Sequence, residues 1–423
     1  MSILRELLND IPIPQVVKIR QKFDRTILEN PEQELADKLA SSGAMETILP
    51  GQQVAVAVGS RGIANIAGFT KTTIDAIKAK GAFPFIVPCM GSHGGATAEG
   101  QTEVLLHFGI TEASMGAPIR SSMEVVKIDE LPNGLPVYVD RIASEADAIV
   151  VINRVKPHTA FRGRIESGIM KMIAIGLGKQ KGAEACHQLG FKYMAENVPA
   201  MANLMIQKLP IVFGVALVEN AYDETCRVEV LLAAEIEERE EQLLIEAKAR
   251  LPKILFDEID VLVIDYIGKN ISGDGMDPNV TGRYPTPYAH GGPDVAKMVV
   301  LDLTPETKGN ANGVGTADFT TQRLVDQTNL EFTYANGLTS TVCAPTKIAT
   351  TLENDFYAIK AAVKTCNILD YTKCKLVRIQ DTLHLGEIEI SVNLLDAARV
   401  HPDIEILTEP YELSFNAEGN ISK

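Results

Sequence analysis

Between Asn153 and His187 the chain reads NRVKPHTAFRGRIESGIMKMIAIGLGKQKGAEACH, with basic side chains at nine positions, two of them histidines, in a protein of formal net charge −15. A cationic cluster in an acidic chain predicts a pocket for one small anion or a metal. A nucleic-acid partner is not expected, because the overall charge repels a phosphate backbone. His158 follows a proline in KPH, Lys171 sits among apolar residues in GIMKMIAIG, and His187 closes ACH sixteen residues later. An ammonium flanked by apolar side chains snorkels, pairs with an anion, or becomes reactive as desolvation lowers its pKa. The residues alone leave those three roles open.

Two further segments carry groups of the same kind. MGSHGGATAEG sets His93 among small residues that permit close approach of a ligand. VGSRG sets Ser60 and Arg61 at the start of a helix, where exposed amides and a guanidinium together hold a carboxylate or phosphate. Taken singly, a loop histidine bonded to backbone and a surface arginine are the plainer readings. Two familiar phosphate motifs do not fit. GLGKQKG has Gln180 where a Walker loop needs Ser or Thr, and Ile173 where it needs the first glycine. Gly176, Gly178 and Gly182 give GxGxxxG, which departs from the dinucleotide fingerprint.

The elements that must position these groups are read from periodicity. QQVAVAV, an amphipathic IANIAGFTKTTIDAIKAK and AFPFIVP form a βαβ unit. ADAIVVINRV, PIVFGVALVE and DVLVIDYIG are further buried strands, with helical pattern between several of them. The predicted fold class is therefore α/β, with a mainly parallel sheet whose ligands sit at the strand C-terminal ends. GSRG, MGSHGG and INRVKPH are such exits. EIEEREEQLLIEAKAR is charged on most faces and reads as a surface helix ended by Pro252.

With 423 residues, two domains are expected: 1–270, larger and carrying the site, and 271–423, a smaller α/β domain whose last residues return toward the first. The polar loop KNISGDGMDPNVTGRYPTPYAHGGPD stands near the boundary, and a cleft between the domains is the natural ligand site. No apolar run has the length of a signal peptide or membrane span, so a cytoplasmic location without membrane contact is expected. Six cysteines without a CxxC pair argue against a thiolate zinc site or a disulfide framework. Oligomeric state is left open.

The combination of motifs resembles the nickel-pincer racemases and epimerases typified by lactate racemase. GSRG with Arg61, GSHGGAT with His93, KPH with His158, GIMKMIAIG with Lys171, and ACH with His187 occur in that family's order, including its sixteen-residue lysine-to-histidine spacing. The resemblance implies a cofactor that is a pyridinium mononucleotide gripping nickel through two sulfur arms and a ring carbon. Lys171 would join one arm as a thioamide and His187 would be the remaining nickel ligand, donors that suit square-planar nickel. Arg162, Arg164, Lys179 and Lys181 are candidates for the cofactor phosphate. The implied reaction inverts a hydroxyl-bearing carbon by hydride loss and return, with His93 and His158 as the two proton-transfer groups and Arg61 holding the substrate carboxylate.

Departures from the family pattern bear on the substrate. Its Asp-Asp-x-Thr-Arg turn is AVGSR here, with Ser60 in the threonine position, and its second carboxylate-binding lysine has no counterpart in DPNVTGRY. Lys269, Asp277, Asn279 and Arg283 are the expected replacements, pointing to a hydroxy acid more polar than lactate. Two other readings use the same groups: a carboxylate-binding oxidoreductase or lyase without nickel, and a non-enzymatic nucleotide- or metal-binding protein.

Overall fold

The computed structural model describes residues 3–59 and 62–422. The chain divides into two compact units, residues 25–251 and residues 1–24 together with 252–423. Both are α/β.

In unit 25–251 a five-stranded sheet has the order Phe83–Pro88, Gln53–Val58, Ala148–Arg154, Ile211–Glu219, Thr225–Leu232, and only the last strand is antiparallel to its neighbour. The strands are near-continuous Val, Ile and Ala because both faces are covered. On one face Val54, Val56, Val150, Ile152 and Phe213 pack with Leu35, Leu39, Phe69, Ile74 and Ile77 from helices Pro31–Ser41 and Ile66–Ala79. Close approach on the sheet is set at Gly214, where a Cβ would come within 2.8 Å of Ile169. Because the first four strands are parallel, the segments leaving Val58, Pro88 and Arg154 emerge at one edge of the sheet.

The other unit holds an eight-stranded sheet, ordered Thr350–Leu352, Phe319–Thr321, Asp294–Leu303, Glu258–Ile267, Leu376–Ile379, Glu387–Ser391, Val16–Gln21, Ile404–Ile406. Its first five strands are parallel and the rest antiparallel. Here the expected boundary at 270 differs from the observed one. Glu258–Ile267 pairs with Asp294–Leu303 and Leu376–Ile379, and Val16–Gln21 pairs with Glu387–Ser391. Both therefore belong with the C-terminal residues. The chain end does return to an N-terminal segment, Ile404–Ile406 against Ile19–Gln21, but that segment lies in the same unit. Among the described residues no helix is long and apolar enough to cross a membrane.

Candidate active site

Lys171 ends the short helix Ile169–Lys171, and the chain continues through a π turn, Met172–Gly176, into the helix Lys179–His187. The wide turn is closed by the Leu177 amide donating to the Met172 carbonyl at 2.9 Å. Such π segments are rare and concentrate at functional sites. The run is tied to the strand exits: Cys89 Sγ donates to the Met172 carbonyl (3.2 Å), the Gly91 amide to the Gly176 carbonyl (3.2 Å), and Asn153 Nδ2 to the Gly168 carbonyl (3.2 Å). At Gly176 a Cβ would stand 2.6 Å from Cys89 Sγ, so only glycine lets the turn lie this close.

The start of the run is gripped by a buried carboxylate. Glu240, on the helix Ile236–Arg250, accepts from the Met170 amide at 3.1 Å, and a Cβ on Gly168 would lie 2.5 Å from its carboxyl carbon. Burial raises the Glu240 pKa to about 7 against the lowering pull of the Met170 and Ile169 amides.

His158 is presented by a loop closed at its base by the Lys156–Ser167 bridge. Inside the loop the buried Glu166 accepts from the His158 amide (2.8 Å), the Gly163 amide (3.3 Å), Arg162 Nη1 (3.4 Å) and Lys248 Nζ (2.6 Å). His158 Nδ1 accepts from the Ala160 amide at 3.1 Å, so the neutral ring carries its proton on Nε2. Burial, and then the neighbouring charges of Lys171, His187, Lys156 and Arg162, hold His158 well below the ordinary imidazole range. His187 Nδ1 donates to the Ala183 carbonyl at 2.6 Å, which leaves the Nε2 lone pair for another partner. Burial lowers its pKa too, the Ala183 bond opposing and Lys171 adding to the shift. Both rings pack against Phe191, at centroid distances of 6.0 Å for His158 and 5.4 Å for His187. Lys171, His158 and His187 are thus one electrostatic cluster.

Residues 17–198 match the family model of the lactate racemase N-terminal domain. The matched range contains His93, His158, Lys171 and His187. It also contains Ser60 and Arg61, which lie outside the described residues. The chain is similar to a solved structure, the lactate racemase apoprotein from Thermoanaerobacterium thermosaccharolyticum, at 12% identity and a TM-score of 0.49, over 92% of this chain and 91% of that one. No curated protein matches it in sequence.

Among the described residues no three His, Cys, Asp or Glu side chains converge to hold a metal. The Ala183 bond leaves His187 Nε2 as an imidazole donor, a type that suits nickel alongside sulfur. His93 follows the exit of Phe83–Pro88; its amide donates to the Met90 carbonyl (3.1 Å) and its carbonyl accepts from Gln101 Nε2 (3.2 Å).

Three of the four expected phosphate-binding cations are engaged within the protein. Lys179 is fully buried, ion-paired with Asp140 (3.1 Å) and donating to Gln101 Oε1 (3.1 Å) and the Pro88 carbonyl, so its ammonium is held in the interior. Arg164 is exposed and engaged with Glu241 at 2.7 Å. Sequence proximity did not fix side-chain direction. Arg162 braces the His158 loop, donating to the His158 carbonyl at 2.7 Å, while Lys181 is exposed with its ammonium 5.9 Å from the Tyr138 ring centroid. Lys156, beside His158, is a cation that the KPH motif contained but that sequence reasoning passed over.

In the other unit the polar loop is largely self-satisfied. Asp277 caps the helix Pro278–Thr281 through the Asn279 amide (2.9 Å) and also accepts from Asn279 Nδ2 (2.7 Å). Arg283 pairs with Asp318 (2.8 Å) and donates to the Val295 and Ala296 carbonyls. Lys269 donates to the Gly273 carbonyl (2.6 Å) and to Asn336. Arg283 and Asp277, expected to meet substrate hydroxyls, make these bonds within their own unit. Gly, Pro, Asn and Asp mark a tight loop as readily as a binding loop.

Proposed function

We propose that the protein is a racemase or epimerase of a 2-hydroxy acid that works with a nickel-pincer nucleotide. The observation that supports this reading is the Lys171–His187 run: a lysine, assigned here to cofactor attachment, and an imidazole with Nε2 left open by the Ala183 bond, on one π-broken helix within the range that matches the lactate racemase N-terminal domain. When bound, the nucleotide supplies the hydride acceptor for the substrate carbon. The chain's own residues do the rest. His187 Nε2 would be the protein ligand to nickel, and the Ala183 carbonyl fixes its tautomer and ring orientation.

His93 and His158 handle the hydroxyl proton. His158 begins as a neutral ring with Nε2–H, and so serves first as hydrogen-bond donor to the oxygen that develops charge. Taking a proton at Nδ1 requires it to release the Ala160 amide, which assigns the first deprotonation to His93. Arg61 is assigned to the substrate carboxylate, where a guanidinium orients the reacting carbon.

The test is turnover. Cofactor-loaded protein is incubated with single enantiomers of lactate, malate and aldonic acids, and C2 configuration is followed by chiral chromatography. Inversion of at least one acid is expected, with about a hundredfold or greater loss in His93→Ala and His158→Ala. Fully loaded protein that inverts none of these acids overturns the proposal.

A further inference from the structure

Lys179 has a backbone φ of 54°, a left-handed conformation that a lysine adopts at a cost, and its side chain is entirely buried. A buried ammonium persists only when paired and fully hydrogen-bonded. This one is ion-paired with Asp140 Oδ2 at 3.1 Å and donates to the carbonyl of Pro88 and to Gln101 Oε1. Asp140 and Gln101 are also fully buried.

The chain of bonds does not end there. Gln101 turns its amide to the other side and donates to the carbonyls of Gly91 (2.9 Å) and His93 (3.2 Å). Pro88 is the last residue of the strand that exits toward His93, and Lys179 is the first residue of the helix that ends at His187. One buried polar relay therefore joins the two segments that carry the expected proton-transfer and metal-binding imidazoles.

We propose that Gln101 and Lys179 are positioning residues that lock the His93 turn onto the helix bearing His187. The significance for catalysis rests on the reading of His93 and His187 given above; the mechanical coupling does not. The lysine holds the glutamine in the only orientation that puts its amide hydrogens on the turn. Gln101 then fixes the turn at two carbonyls, and at Gly94 the turn lies so close to Gly100 that a Cβ would approach to 2.6 Å. A reaction that needs reacting atoms held within fractions of an ångström gains from such a brace.

The experiment is hydrogen exchange by mass spectrometry on the full-length protein, comparing wild type with Gln101→Met and with Lys179→Met/Asp140→Asn. The double variant removes the ammonium without leaving a buried carboxylate unpaired, so it keeps the test alive if Gln101→Met does not fold. In both, amides of residues 91–97 are expected to exchange about tenfold faster, the size of losing two buried hydrogen bonds. Amides of the helix Met194–Lys208 should be unchanged. Wild-type exchange in 91–97, or an equal rise across the whole chain, overturns the coupling. In cofactor-loaded protein the same variants should lower kcat about tenfold and leave KM within about twofold. If loaded wild type inverts no hydroxy acid, the functional reading fails while the exchange data still decide the brace.

Discussion

His158 and His187 share one aromatic neighbour, their ring centroids lying 6.0 and 5.4 Å from that of Phe191. Burial disfavours the charged form of both imidazoles, with Phe191 packed against each and Phe161 at 4.5 Å from His158, and Lys171 adds like-charge repulsion to each. Replacing Phe191 by alanine admits water and should move both histidine pKa values up toward about 6.5. NMR titration of the imidazole protons checks this; unchanged titration would show that Phe191 is not part of the cause.

Two buried groups should give stability opposite slopes with pH. The His158 pKa is lowered on folding from 6.5, so the unfolded chain binds more protons below that value, and its contribution is lost as pH falls from about 6.5 toward the folded pKa. The Glu240 pKa is raised from 4.5 to about 7, so its contribution is present below about 4.5 and lost as pH rises through about 7. Urea unfolding between pH 5 and 8 should show His158→Phe removing the rising component. Glu240→Gln should remove the falling one, up to about 3 kcal/mol.

Glu166 is expected to act on His158 through the loop. Glu166→Ala deprives the His158 amide, Arg162 and Lys248 of their acceptor. Stability should fall by about 2 to 4 kcal/mol and turnover by tenfold or more, with nickel content retained. Denaturation curves alongside metal analysis separate the two effects. Loss of nickel in the folded variant would place Glu166 in support of His187 instead.

The parallel sheet of residues 25–251 was legible because fully buried strands announce themselves as runs of Val and Ile, as in VAVAV and AIVVI. So were the exits carrying His93 and His158, since each follows such a run. The allocation of Val16–Gln21 was not legible, because its partner strands lie near residues 390 and 405 and no local pattern records that pairing. Lys179 and Arg164 looked alike as cations near a glycine-rich turn, yet one pairs with Asp140 in the interior and the other with Glu241 at the surface. Glu240 was hidden for a similar reason. In EIEEREEQ it is one acid among several, and only the helix's packing against Gly168 and Met170 makes it the buried one. The π turn also leaves no signature in MIAIG beyond its glycine.

The most direct test of the central claim is the intact mass and nickel content of the protein purified from the organism that makes it, beside Lys171→Ala and His187→Ala. The account predicts a nucleotide-derived mass excess confined to the peptide containing Lys171, with about one nickel per chain. Lys171→Ala should lose both, whereas His187→Ala should keep the adduct and lose most of the metal. A wild-type chain of unmodified mass that contains no nickel would contradict it.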